Sequence, residues 1–490
     1  MKLARHPAAW TFLILLASYA FFWHGRDWNT ASRLMLTYAM VDRGSLSIDG
    51  LETQTGDLAR RDGHYYTEKN PGFSLLAAIP YKIAKLIFSS PDHPLGVPGF
   101  AYWPADYWIT LGTSGVMTAG AGAILAVLAL RLGCGPRRAA LVGLAYGLAT
   151  PAFAYGTLAY GHQPAAFCLL ASFALLWSGD GARPRLRWFA AGALAAYASV
   201  IEIQVGPVSS ILAGFALSLV VSQRRPLALL LWFALGTVGP TLILLTYNTL
   251  AFGSPWKMGY FFLILDRFKE VHSDDNPLGL ARPDWHRAGE LLWGERRGLI
   301  RYAPILILSI PGLGVLAARR AWGMVGVVVA TAGAILLVNL SYPEWTGGWT
   351  TGPRLLVPML PFAMLPVAAL LAAGGRWASF LALILTMAGG AVILLFQGVG
   401  ARVPDPIASP LASAVWPLWR GDTPLPGWTF GRRFAVNLVE LAWPGFVAGL
   451  PPSAAWLPFA ALVLVQILLI GAMLGAIQPK QAGTDPRPPA

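Results

Sequence analysis

GFSLLAAIPYKIAKLIF, residues 72–88, is apolar enough to be taken for a membrane span, yet it contains Pro80, Lys82 and Lys85. Whether it crosses decides the topology of everything downstream. If it crossed, the loop LGCGPRR at 132–138 would lie outside the membrane and the arginine pattern of the whole chain would invert. As a helix lying on the surface, apolar side down and lysines toward headgroups, it leaves the arginines on one side.

The rest of the chain supports that choice. Hydrophobic residues make up 56% of the 490 positions and charged residues 12%, with a mean hydropathy of +0.56, too apolar for a set of ordinary soluble domains. Apolar runs recur from Trp10–Trp23 to Trp456–Ile477, each extensible to bilayer length, and the reading is about twelve transmembrane helices in an all-α polytopic fold. Lys2 and Arg5, Arg131, Arg137 and Arg138, Arg183, Arg185 and Arg187, Arg224 and Arg225, Arg319 and Arg320, Arg376 and Lys480 fall at every second helix end and at the termini. This places both termini on the cytoplasmic side of the membrane. It also argues against nucleic acid as partner, because the net charge of +13 is not gathered on one surface. Of the 23 acids, all but Asp180 and Asp485 fall near or beyond the opposite face, which suggests an extracytoplasmic working surface.

One transmembrane unit over 1–480 is expected, with outer loops at 24–106, 251–299 and 397–455, and a short cytoplasmic tail at 481–490. The N-terminal apolar segment reads as a retained helix, not a cleaved signal, since no small-residue site precedes Phe21–Trp23. Within the first outer loop, Thr30–Val41 is expected to form a second surface helix, with Leu34, Tyr38 and Val41 on one face and Arg33 and Thr37 toward another; residues 45–63 read as irregular, with little β content. Cys134 and Cys168 form no disulfide framework, and His64, His93, His272 and His286 show no ligand spacing, so no obligatory metal or cofactor is expected. There is no Gly-rich phosphate loop after a strand.

The order of motifs resembles a known family. HGRDWNTASRLMLTYAMVDRGSLSID, TEKNPGFSLLAAIPY, YNTLAFGSPWKMGY, RRGLIRYAPILIL and WTGGWTTGPRLLVPMLPF follow one another as in the bacterial polyprenyl-phosphate-sugar-dependent glycosyltransferases of the GT-C superfamily, the membrane mannosyltransferase and aminoarabinose-transferase relatives. The resemblance implies juxtamembrane helices in the first outer loop, a polyprenyl-phosphate sugar as donor, and an extracytoplasmic acceptor. It also implies a general base among the acids of the first outer loop. Where the family shows Asp-Glu, this chain has Asn29-Thr30, so Asp27 and Asp57 both remain candidates. Lys69 matches the lysine of the family's Lys-Pro-Pro pattern, with Asn70 in place of one proline, and stands to neutralise the donor phosphate. Arg33 and Arg354 are further phosphate ligands by charge and position. Asp42, His64, Tyr65, His162 and Glu202 complete the candidate set, because ionisable groups at outer helix ends in a membrane protein are candidates by default. Two other classes fit the composition: a transporter or flippase of lipid-linked glycans, and a non-catalytic scaffold of an envelope-assembly complex.

Overall fold

The structure, a computed structural model, describes residues 6–88, 104–177, 183–273, 275–422 and 433–477. Lys2, Arg5, His93, Asp180, Lys480, Asp485 and the 481–490 tail lie outside the described residues. The chain is an all-helical, multi-pass membrane protein. Seven described helices are long and apolar enough to cross a bilayer: Pro104–Arg131, Ile203–Ser222, Ala228–Phe252, Trp322–Ser341, Arg354–Ala373, Arg376–Val399 and Pro452–Ala476. Pro7–Ala20, His162–Trp177 and Pro304–Ala318 are shorter apolar helices. The expected count of about twelve is thus carried at full span length by seven.

The helices pack where small residues let backbones approach. Pro184–Ile201 and Ala228–Phe252 meet at Gly192 and Gly236, and a Cβ on either glycine would run into the carbonyl of Phe233 or Phe189 on the other helix. At one end of the bundle the arginine loops cross-link helix termini. Arg138 Nη1 donates to the carbonyls of Leu371 at 2.8 Å and Gly374 at 2.9 Å, and Arg319 Nη1 donates to that of Leu132 at 3.0 Å. These cations satisfy C-terminal carbonyls that a helix leaves unpaired.

The Pro104–Arg131 helix, about 40 Å long at 1.5 Å per residue, links that end to the other. Near its first residues, fully buried Asp106 takes Arg26 Nε at 2.5 Å and the Tyr38 hydroxyl. Here the first outer loop folds over the bundle. Helix α1 (Pro7–Ala20) leads into strand β1 (Phe22–Trp23), and helix α2 (Trp28–Tyr38) follows. The amphipathic reading of Thr30–Val41 holds for the helix but not for its polar face: Arg33 and Thr37 are buried, Thr37 Oγ1 donating to the Ser74 carbonyl at 3.2 Å. Helix α3 (Gly72–Phe88) packs against α2, the Tyr81 ring lying 4.8 Å from that of Tyr38; Ala77, Tyr81 and Ala84 are buried, while Ile79, Lys82, Ile83 and Lys85 stay exposed.

Residues 45–57 are irregular apart from a short helical turn at Glu52–Gln54, as expected, but the stretch ends in a hairpin that was not anticipated. Strands β2 (Leu58–Arg61) and β3 (His64–Thr67) form an antiparallel hairpin with Arg61 opposite His64. Its two-residue turn is Asp62-Gly63, with φ of +51° and +85°, the pattern whose twist matches a hairpin and which Asp-Gly favours. Strand β4 (Val436–Asn437) pairs antiparallel with β1, so the start of the 24–106 segment is joined to the 397–455 segment through the backbone.

Candidate functional site

The hairpin ends at Thr67, and the next residues, Glu68-Lys69-Asn70-Pro71-Gly72, form a turn pinned to the end of the Pro184–Ile201 helix. Asn70 Nδ2 donates to the Ser199 carbonyl at 3.1 Å and the Tyr197 hydroxyl donates to the Gly72 carbonyl at 2.9 Å. A Cβ at Gly72 would sit 2.6 Å from the Ile201 amide and the Val200 carbonyl, so only glycine permits this contact. On the other side the Glu68 backbone is pressed against Gly259, from the YNTLAFGSPWKMGY stretch. Lys69 is therefore aimed by contacts along its whole turn.

Its ammonium makes an ion pair with Asp57 Oδ2 at 3.0 Å and a second with Glu68 Oε1. Asp57 is held from behind: the Ser32 hydroxyl donates to its carbonyl at 2.8 Å, and its amide donates to Thr55 Oγ1 at 3.0 Å. Burial would lower the Lys69 pKa, but Asp57 and Glu68 outweigh it and keep the amine charged well above its usual range. Glu68 goes the other way. Burial pushes its carboxyl up, Lys69 pulls it down, Asp57 repels, and the balance lies at about 7.

Beside this trio, Arg33 Nη2 meets Glu202 Oε1 at 2.5 Å, while Arg33 Nε donates to Asn29 Oδ1 at 3.2 Å. His162 Nδ1 lies 3.8 Å from the same Glu202 oxygen and 3.2 Å from Gln204 Nε2. The positive charges of Arg354, Arg33 and Lys69 all reach His162, which places the four side chains in one neighbourhood.

A third group completes it. Asp27 is the N-cap of α2, its Oδ1 accepting from the Thr30 amide at 2.7 Å in a capping box. Its Oδ2 lies 3.2 Å from Arg402 Nη1 and accepts from the Tyr160 hydroxyl. Burial would raise the Asp27 pKa, but Arg402, Tyr160 and Thr30 hold it below the ordinary carboxylate range. Arg402 also donates to the His24 carbonyl, and burial with Arg402 nearby drives the His24 pKa down to about 3, so that imidazole is neutral. The Arg354 guanidinium lies 5.5 Å from the Tyr160 ring centroid.

The structure thus brings together Asp27, Asp57, Lys69, Arg33, Arg354, His162 and Glu202. It does not bring in Asp42, His64 or Tyr65. Asp42 accepts from the Tyr81 hydroxyl and Lys85 Nζ, both at 2.6 Å, and so ties the end of α2 to α3. His64 Nδ1 lies 2.6 Å from Asp49 Oδ2, and the Tyr65 amide donates to Asp49 Oδ1 at 2.6 Å, on the outer side of the hairpin. Among the described residues no group of three or more His, Cys, Asp or Glu is placed to hold a metal ion.

Sequence reasoning missed Glu68, Arg297 and Arg402. Glu68 stood next to Lys69 as a second charge in an otherwise apolar setting and could have been flagged. The arginines carried no local signal, because their partners are distant in sequence. Fully buried Arg297 donates to the carbonyls of Thr346 at 3.0 Å and Gly348 at 2.8 Å, clamping the WTGGWTTG loop that leads to Arg354.

No family model and no curated protein matches the sequence. Among solved structures, the chain is similar to crystal structures of ArnT from Cupriavidus metallidurans, bound to undecaprenyl phosphate (17% identity, TM-score 0.49, covering 95% of this chain and 74% of that one) and in the apo state (16% identity, TM-score 0.49, 95% and 71%). It is also similar to the oligosaccharyltransferase of Archaeoglobus fulgidus in the apo form, at 12% identity and TM-score 0.42 over 79% of this chain and 55% of that one.

Proposed function

We propose that this chain is an integral membrane glycosyltransferase that transfers a sugar from a polyprenyl-phosphate donor to an extracytoplasmic acceptor. One observation carries the reading. Around the Lys69 turn, Arg33 Nη1, His162 Nε2 and Arg354 Nε are buried with no hydrogen-bond partner among the described residues. Buried donors of this kind are normally satisfied, and three of them in the neighbourhood of one lysine fit the oxygens of an anionic head. Arg354 lacks any acid partner among the described residues, which makes it the cation most available to a phosphate. Donors fixed in advance of the ligand stabilise charge that develops in the transition state without reorganising.

In this reading an acid of the first outer loop takes the proton of the acceptor hydroxyl as its oxygen attacks the anomeric carbon, and the bond to the phosphate oxygen breaks through an oxocarbenium-like state. Asp57 is the preferred base. Its Oδ2 faces Lys69 and its Oδ1 has no side-chain partner among the described residues, whereas Asp27 is committed to a helix cap and to Arg402.

The experiment is to incubate purified protein with a polyprenyl-phosphate sugar labelled in the sugar and to follow release of polyprenyl phosphate. Turnover that falls at least a hundredfold in Arg354→Gln supports the assignment. Movement of the intact labelled lipid across a vesicle membrane without cleavage would support the transporter instead.

A further inference from the structure

The cations of the site are nearly all compensated already: Arg33 by Glu202, Arg402 by Asp27, and Lys69 by two acids, Asp57 and Glu68. Only Arg354 lacks an acid partner among the described residues. With every acid ionised, the cluster of Lys69, Asp57, Glu68 and Arg354 is neutral, and an arriving phosphate would leave it with an uncompensated negative charge in a buried place. Such a charge is costly unless something neutralises it.

We propose, resting on the donor reading above, that binding of the anionic lipid head takes up one proton and that this proton lodges on the Glu68 carboxyl, freeing Lys69 to turn from Glu68 to the phosphate. The geometry singles out Glu68. Its side chain is about 5% exposed and is bonded to the ammonium the phosphate would claim. Unlike Asp57, it has no second anchoring contact through its own backbone to α2. The groups acting on this corner are Lys69 and Asp57 from the same loop, Arg33 from α2, Tyr260 from the Gly259–Phe262 turn and Tyr342 after the Trp322–Ser341 helix. Glu202 and His272 lie one group further out. Between burial and these charges the Glu68 carboxyl is balanced near neutrality, at about 7. A second anion beside it moves the balance toward the protonated form.

The test uses the full chain in detergent and a polyprenyl methyl phosphodiester, whose single charge does not change between pH 6 and pH 9. Affinity is expected to fall about tenfold per pH unit above 7. Calorimetry at pH 8 in two buffers of different ionisation enthalpy is expected to show uptake of about one proton per head bound. In Glu68→Gln the affinity should be high and flat with pH and the proton uptake should vanish. A wild-type chain that binds with a flat profile and no proton uptake overturns the inference and leaves the donor reading standing, as does a slope that persists in Glu68→Gln. No binding at any pH overturns the donor reading and the inference with it. If Glu68→Gln does not fold, the two-buffer measurement on the unaltered protein still decides.

Discussion

At the scale of the residue, the two acids that the first outer loop offered as alternatives have different jobs. Asp27 caps α2 and anchors Arg402 across to the third outer loop, while Asp57 faces Lys69 with one oxygen to spare. Asparagine caps a helix about as well as aspartate. Asp27→Asn is therefore expected to keep α2 and lose the pairing with Arg402 and the bond accepted from Tyr160, reducing turnover less than tenfold. Asp57→Asn is expected to lower turnover by about two to four orders of magnitude, the usual worth of a general base, while donor affinity does not fall and rises if anything, because the substitution also removes a negative charge beside Lys69. Single-turnover rates of the two variants decide the matter: the opposite ranking would transfer the role to Asp27. Lys69 was recognisable from its Pro-Gly turn, and its aim was also recognisable. That it also pairs with Asp57 was not, because Asp57 lies across a hairpin that went unread.

At the scale of the element, the site depends on backbones that approach too closely for side chains. The end of the Pro184–Ile201 helix receives both Asn70 and Gly72, and that helix is in turn set against Ala228–Phe252 at Gly192 and Gly236. A valine at Gly192 would be driven into the Phe233 carbonyl, and overpacking of this kind costs about 1–3 kcal/mol. Gly192→Val is expected to lower the midpoint of thermal unfolding in detergent and to loosen the Lys69 turn. Gly214→Val, where a Cβ meets nothing within 4 Å, is the control and should unfold like the unaltered chain. Equal midpoints for the two variants would show that the helix contact does not support the fold.

At the scale of the whole molecule, charge and site lie at opposite ends. Arg138 and Arg319 bind helix-terminal carbonyls at the end where Pro104–Arg131 finishes, and the ionic cluster gathers near where it starts. Cysteines at Arg60, exposed on the hairpin, and Arg137, exposed at the start of the Pro136–Leu148 helix, are expected to be labelled from opposite sides of the membrane in a chain whose buried Cys134 and Cys168 have been replaced. An impermeant thiol reagent should reach the first only from outside. Labelling of both from the same side would invert the reading of 72–88 with which the topology began.

Hydropathy and the alternation of arginines determined the helical class, the approximate limits of the spans and the presence of a helix over 72–88, because burial in a bilayer is decided segment by segment and leaves its mark on local composition. Even the Asp62-Gly63 turn was written locally, though its hairpin went unread. Only the tertiary structure decided which charges meet. Arg33 reaches Glu202 across 169 positions and Asp27 is met by Arg402 from the far end of the chain. Ion pairs of this separation follow from how helix ends are stacked, and no window of sequence contains both partners. The same holds for the burial of the Arg33, His162 and Arg354 donors side by side, since which groups end up next to one another is a property of the packed neighbourhood and of no single residue.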